Sequence, residues 1–291
     1  MRTDGPVAVA LDGTPHSGRT LEWGVMEAIR RQAGVLLVRV VDDPWQVAGW
    51  SGSPMVGRTD LDLEAAQYLT EQTKVVEEHH PGVRVDTRSM HGEVVPCLRE
   101  QSANAQLLVV GAHLRTGRAR TGSTGVHVAA HALCPVAVVR SEVQRPTTTG
   151  AAVVVGVDGS PASLAAAHLA AREAWMRGGP LHVVHARPTV PDPLGRGDFA
   201  PLATGDEHDP VHQAARVVTN ALRAENEGLS VDLTLVDDDP ADALVRLAAD
   251  AALLVVGSRG LGSFRGMLLG SVSSAVVREA TVPVVVVHDH G

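Results

Sequence analysis

The chain repeats itself, and this limits what it can fold into more than any other feature. Val9, Ala10, Leu11, Asp12, Gly13, Thr14, Pro15, His16 and Ser17 align with Val155, Gly156, Val157, Asp158, Gly159, Ser160, Pro161, Ala162 and Ser163, an offset of 158 − 12 = 146 residues. The same offset places Ala105, Leu107, Leu108, Val109, Val110 and Gly111 on the identical residues Ala251, Leu253, Leu254, Val255, Val256 and Gly257. Beyond that point the offset is 270 − 122 = 148: Gly122 and Ser123 align with Gly270 and Ser271, and Pro135 with Pro283. The first copy is therefore two residues shorter in the intervening loop. A tandem duplication requires an architecture that is complete in about 140 residues and occurs twice. The expected domains are residues 1–140 and 151–291, joined by a polar linker at 141–150 that runs from Ser141 to Gly150.

Within each copy, short valine- and leucine-rich runs alternate with longer stretches of helical periodicity. In the second copy the runs are Ala152 to Val157, Leu181 to Ala186, Val231 to Val236, Leu253 to Val256 and Val284 to Val287. Four are continuously or nearly continuously apolar, as strands buried on both faces must be, whereas Val231 to Val236 alternates and suits a more exposed place. Leu164, Ala167, Ala171, Ala174 and Trp175 recur at helical spacing behind Ser160, a candidate N-cap. The predicted fold class is α/β: two tandem open-sheet domains, each a five-stranded parallel sheet sandwiched by helices. Asp42 to Asp62 and Arg187 to His208, rich in Gly, Pro and Asp, are expected to be long surface loops after the second strand.

Composition excludes several functions. A formal charge of −8 and only 2% aromatic residues leave neither the electrostatic footprint nor the stacking platforms that nucleic-acid binding needs. Lys74 is the only lysine, and no glycine-rich loop precedes it, so the Walker A loop and the protein-kinase lysine are both absent. No window holds about 18 uninterrupted apolar residues, and two cysteines are too few for a disulfide scaffold. The expectation is a cytoplasmic protein without a membrane span.

In an open parallel sheet, ligands collect beyond the carboxyl ends of the strands, where the winding reverses. Two features of the second copy fall there. The first strand ends in Asp158, Gly159 and Ser160; the fourth ends in Gly257, two residues, Gly260, nine residues, then Gly270 and Ser271 ahead of a helix from about Val272 to Ala280. Glycines admit an anion close to the backbone, and Ser271 adds a hydroxyl to N–H groups already aligned by the helix. The expected ligand is phosphorylated. Glycines in that pattern also serve tight turns alone, and an Asp before Gly-Ser-Pro is also a good helix cap, so both readings stand at this point.

With these residues in view, the sequence resembles the tandem universal stress proteins, over both halves and almost end to end. The Gly257, Gly260, Gly270, Ser271 spacing resembles that of the ATP-binding subgroup. The resemblance implies an adenine nucleotide alpha hydrolase-like fold and ATP with Mg2+ as ligand. Gly257 and Gly260 would line the nucleotide, while Gly270, Ser271 and Val272 would hold the phosphates. Asp158 would lie near the ribose or a bound magnesium, and adenine would rest against Ala186, a smaller wall than Val40 of the first copy. It also implies an intrachain pseudo-dimer through the fifth strands, Val136 to Val139 and Val284 to Val287. A further homodimer and the identity of protein partners stay open.

The first copy keeps Asp12, Val40, Gly111, Gly122, Ser123 and Thr124 as weaker counterparts but has Leu114 where the second has Gly260. Arg118 and Arg120 could offset this through direct phosphate contact, but solvated loop arginines are the favoured reading. His127 and His131 have i, i+4 spacing without an evident third ligand, and Cys97 and Cys134 align with apolar Ala243 and Val282, so packed thiols are expected. Three functions remain: a non-enzymatic ATP-binding stress regulator, a slow ATPase or adenylating enzyme on the same architecture, and a nucleotide-independent interaction module.

Overall fold

Valine and leucine become strands here because β-branched and bulky apolar side chains fill both faces of a pleated sheet that helices cover. The computed structural model describes residues 4–41, 55–112, 123–140, 150–187, 210–261 and 268–289. They fall into two compact units, within residues 1–143 and 144–289. The first unit runs β1 (Val7–Ala10), α1 (Ser17–Arg30), β2 (Val35–Val41), α2 (Met55–His79), β3 (Val85–His91), α3 (Val94–Ser102), β4 (Leu107–Ala112), α4 (Ser123–His131) and β5 (Val136–Arg140). The second runs β6 (Val153–Gly156), α5 (Pro161–Arg177), β7 (Leu181–Arg187), α6 (Pro210–Glu225), β8 (Val231–Asp237), α7 (Pro240–Leu247), β9 (Leu253–Gly257), α8 (Ser271–Glu279) and β10 (Val284–Val287).

In the first unit the strand order is β3-β2-β1-β4-β5, and in the second β8-β7-β6-β9-β10; the strand pairs within each unit are parallel. The register repeats with the sequence. Val7 faces Leu107 and Val153 faces Leu253, both members displaced by 146. Central strands are sealed, with Val7, Val9, Val153 and Val155 at 0% exposure. Strands β3 and β8, at the ends of this order, are the more exposed ones, in line with the alternation of Val231 to Val236.

Helix α5 starts where the sequence predicts: the Ser160 hydroxyl accepts from the Ser163 N–H at 3.2 Å, Pro161 opens the first turn, and Gly178 closes the helix in the left-handed region at φ 63°. One correction concerns the loop expected over Asp42 to Asp62. Residues 55–62 belong to α2, since the Gly57 and Asp60 that read as loop signals precede a long polar helical stretch that overrides them. The rest of that stretch, residues 42–54, and residues 188–208 of the second expected loop lie outside the described residues; its first residue, Arg187, belongs to β7.

A repeated feature escaped the sequence reading. Glu27 and Glu173 are both fully buried and 146 residues apart, and each is paired one turn later, with Arg31 and Arg177 respectively. A buried carboxylate persists only with such a partner.

Candidate functional site

The strand order reverses between β6 and β9: from β6 the chain winds toward β7, and from β9 it winds toward β10. At that point the carboxyl ends of the strands border a cleft of about 400 Å³. Asp158, Gly257 and Gly260 line one side, where β6 and β9 end. Gly270, Ser271 and Val272 line another, at the start of α8, and Ala186 belongs to the wall at the end of β7. Gly159 does not line the cleft. It forms the turn behind Asp158 at φ 85°, where an added Cβ would stand 3.5 Å from Ala214.

Asp158 organises the turn. Its Oδ1 accepts from the Ser160 N–H at 3.0 Å and its Oδ2 from the Leu261 N–H at 2.8 Å, 103 residues away. Burial by itself would raise the carboxyl, but hydrogen bonds from Ser160, Leu261 and Ser163 outweigh it and hold the group below the usual carboxylate range. The side chain is therefore an ionised strut between the β6 and β9 loops. The Ser160 hydroxyl reinforces it, donating to the Arg259 carbonyl at 3.1 Å.

The three glycines are glycine for different reasons. A Cβ on Gly257 would stand 2.8 Å from the Ala162 carbonyl carbon and 2.9 Å from the Ser163 nitrogen, so this position lets the first turn of α5 pack on β9. A Cβ on Gly260 would overlap Asp158 Oδ2. Gly270 is unlike both: a Cβ there meets only ordinary contacts of 3.5 to 3.7 Å, and its φ of −69° is open to any residue. Protein packing accounts for the first two glycines and not for the third.

Helix α8 is also unlike its neighbours. Side chains cap α5 through Ser160 and α7 through Asp239, which accepts from the N–H groups of Ala241 and Asp242. Gly270, the N-cap of α8, has no side chain to do so. Its own N–H closes the loop on the Ser258 carbonyl at 2.8 Å, and the Ser273 hydroxyl donates to the Gly257 carbonyl at 2.6 Å. The first turn of α8 thus opens on the cleft with no side-chain cap, the arrangement in which backbone N–H groups donate to an anion.

Sequence reasoning missed the opposite wall, where Val184, Pro240 and Leu244 line the cleft. A Cβ on Gly156 would stand 2.8 Å from Leu244 Cδ1, so the lack of a side chain there lets α7 approach. The available signal was Asp239-Pro240 directly after β8, a capped helix start at a strand end. Ser163 also lines the cleft and bonds the Ser160 carbonyl through its hydroxyl.

In the first unit Asp12 Oδ1 accepts from the Thr14 N–H and hydroxyl and, at 2.6 Å, from the Ser17 hydroxyl. Val40 is half-buried on β2, Gly111 lies in β4, Ser123 opens α4 and Thr124 is exposed on it. Gly122, Leu114, Arg118 and Arg120 lie outside the described residues. His131 Nδ1 lies 2.8 Å from the His127 carbonyl within α4. Among the described residues no three His, Cys, Asp or Glu side chains are grouped to hold a metal, and no helix is long and apolar enough to cross a membrane. Cys97 and Cys134 are buried and not joined in a disulfide, and burial pushes the Cys134 thiol up to about 12.

Comparison with known proteins follows the duplication. The universal stress protein family model matches residues 5–140 and again 151–288. A universal stress protein of Mycobacterium tuberculosis is 32% identical over 303 residues, covering 98% of this chain and 96% of its own. A second from the same species is 34% identical over 292 residues, covering 96% of each. The crystal structure of a universal stress protein from Archaeoglobus fulgidus has the same fold, with a TM-score of 0.73 at 20% identity over 98% of this chain and 97% of that one. With both halves matched and the relatives covered nearly end to end, this chain belongs to the universal stress protein family.

Proposed function

We propose that the second unit binds ATP with magnesium in the cleft at the ends of β6 and β9, and that the chain is a nucleotide-responsive regulator in the cytoplasm. The observation that carries this reading is Gly270: a glycine the protein's own packing does not require, heading an uncapped helix whose first residues line the cleft. Phosphates account for both features, because they need close backbone approach and supply the acceptors that a capping side chain otherwise would. The apolar wall of Val184, Ala186, Pro240 and Leu244 offers adenine a surface of the right chemistry.

The residues also fit magnesium. Asp158 is an ionised carboxylate that lines the cleft, and Mg2+ takes one or two carboxylates together with phosphate oxygens and water. When bound, the ion would screen the charge of the phosphates; Asp158 itself holds the Leu261 and Ser160 backbones in place whether or not it contributes to that ion.

Fast turnover is not expected of this cleft. Phosphoryl transfer needs a positioned base and cationic stabilisation, and among the described residues lining the cleft Arg259 is the only cation and Asp158 the only carboxylate, already engaged by two N–H groups. The asymmetry extends along the chain: residues 1–140 carry a degenerate nucleotide loop and residues 151–291 the working one. Isothermal titration of the full chain with Mg-ATP tests the site. One tight site per chain is expected, with loss of binding in a folded Gly270→Asp variant; unchanged affinity in that variant would sink the assignment.

A further inference from the structure

Two histidines of the second unit are not used by the nucleotide reading. His185, on β7, is 4% exposed, and His212 lies in the first turn of α6. Their ring centroids are 5.7 Å apart with the planes at 81°. His185 Nδ1 is 2.7 Å from the Val157 carbonyl. A carbonyl can only accept, so that nitrogen carries the proton and Nε2 of the neutral ring keeps its lone pair. Nε2 of His185 and Nε2 of His212 are both buried, and neither has a hydrogen-bonding partner among the described residues. An imidazole whose Nδ1–H is held by a backbone carbonyl is oriented as metal-ligating histidines are.

We infer that His185 and His212 bind one divalent transition-metal ion of the zinc type through their Nε2 atoms, with solvent completing the coordination. The spacing allows it. At a metal–nitrogen distance of about 2.0–2.1 Å each centroid stands about 3.2 Å from the ion, so two ligated rings lie roughly 5.2 Å apart at a tetrahedral angle and up to about 6.4 Å in line. The observed 5.7 Å falls inside that span. Imidazole selects zinc, copper or nickel over magnesium and calcium, which take oxygen ligands. With two protein ligands the site is an exchangeable one rather than a structural staple. It belongs to the second unit alone, because the position 146 residues before His185 is Arg39, whose guanidinium has no lone pair to give; there it donates to the Leu11 carbonyl at 3.4 Å.

The test is zinc titration of the full chain without nucleotide, followed through the histidine ring nitrogens by NMR and by calorimetry. His127→Ala and His131→Ala are introduced together as background, to remove the exposed i, i+4 pair. Zinc is expected to shift Nε2 of His185 and His212 while His185 Nδ1 stays protonated, and magnesium to leave both rings unmoved. His212→Ala, at a half-buried helix start, should fold and weaken zinc binding about tenfold or more; His185→Asn, which keeps a donor for Val157, should do the same. Zinc affinity unchanged in a folded His212→Ala variant, or ring nitrogens that zinc does not shift because a water satisfies them, would overturn the site.

Discussion

Replacing Gly260 by alanine adds one carbon, and the structure predicts a disproportionate effect. That carbon would overlap Asp158 Oδ2, the atom that accepts the Leu261 N–H at 2.8 Å. Either the carboxylate swings away and that charge-assisted bond is lost, or the backbone at 260 moves and the bond stretches. A hydrogen bond to a charged group contributes about 1.5–3 kcal/mol. Urea denaturation of Gly260→Ala should therefore show a loss in that range, and the Asp158 carboxyl, deprived of one of its donors, should titrate closer to the ordinary range. Since the same bond fixes the loop over the cleft, ATP affinity should fall by roughly one to two orders of magnitude, the same energy read as binding. Gly270→Ala is the matched control, because its Cβ has room. It should stay within about 1 kcal/mol of the parent, the cost of alanine at an N-cap being partly offset by a stiffer unfolded chain, while still weakening nucleotide binding. If Gly260→Ala is as stable as the parent, or Gly270→Ala is as damaged as Gly260→Ala, the separate roles assigned to these glycines are wrong.

Gly257→Ala should cost stability first, about 1–3 kcal/mol from forcing α5 off β9, measurable as a lower urea midpoint without added ligand. Asp158 has a depressed carboxyl in the folded state, so its contribution is present above the unfolded value of about 3.9 and is lost as pH falls through the lower folded one. The difference in melting temperature between the parent and Asp158→Asn should accordingly be full at pH 7 and shrink below about pH 4; a constant difference down to pH 2 would contradict the ionised strut. Cys134, raised to about 12, should resist alkylation at pH 8 in the native chain and react on unfolding; rapid native labelling at that residue would contradict its packing. Nucleotide stoichiometry should remain one per chain in Gly122→Asp, and two equivalent sites in the parent would show that the first unit also works.

The duplication and the alternation of strand and helix were legible in the sequence because they rest on local causes: identical segments at an offset of 146, continuous apolar runs for buried strands, and Ser160-Pro161 for a helix start. The strand-end residues Asp158, Gly257, Gly260, Gly270 and Ser271 were legible as a group for the same reason, since right-handed crossovers in a parallel sheet bring such ends to one side. What each of them does was decided only in three dimensions. Gly257 is glycine because of Ala162, 95 residues earlier in the chain, and Gly260 because of Asp158, 102 residues earlier. Asp239-Pro240 marks a helix start but not that the helix brings Leu244 to the cleft, and the facing rings of His185 and His212 carry no motif at all. Spacing along one segment encodes its own turn or helix, whereas contacts between segments depend on how the crossovers stack them, and one chain read alone holds no trace of that packing.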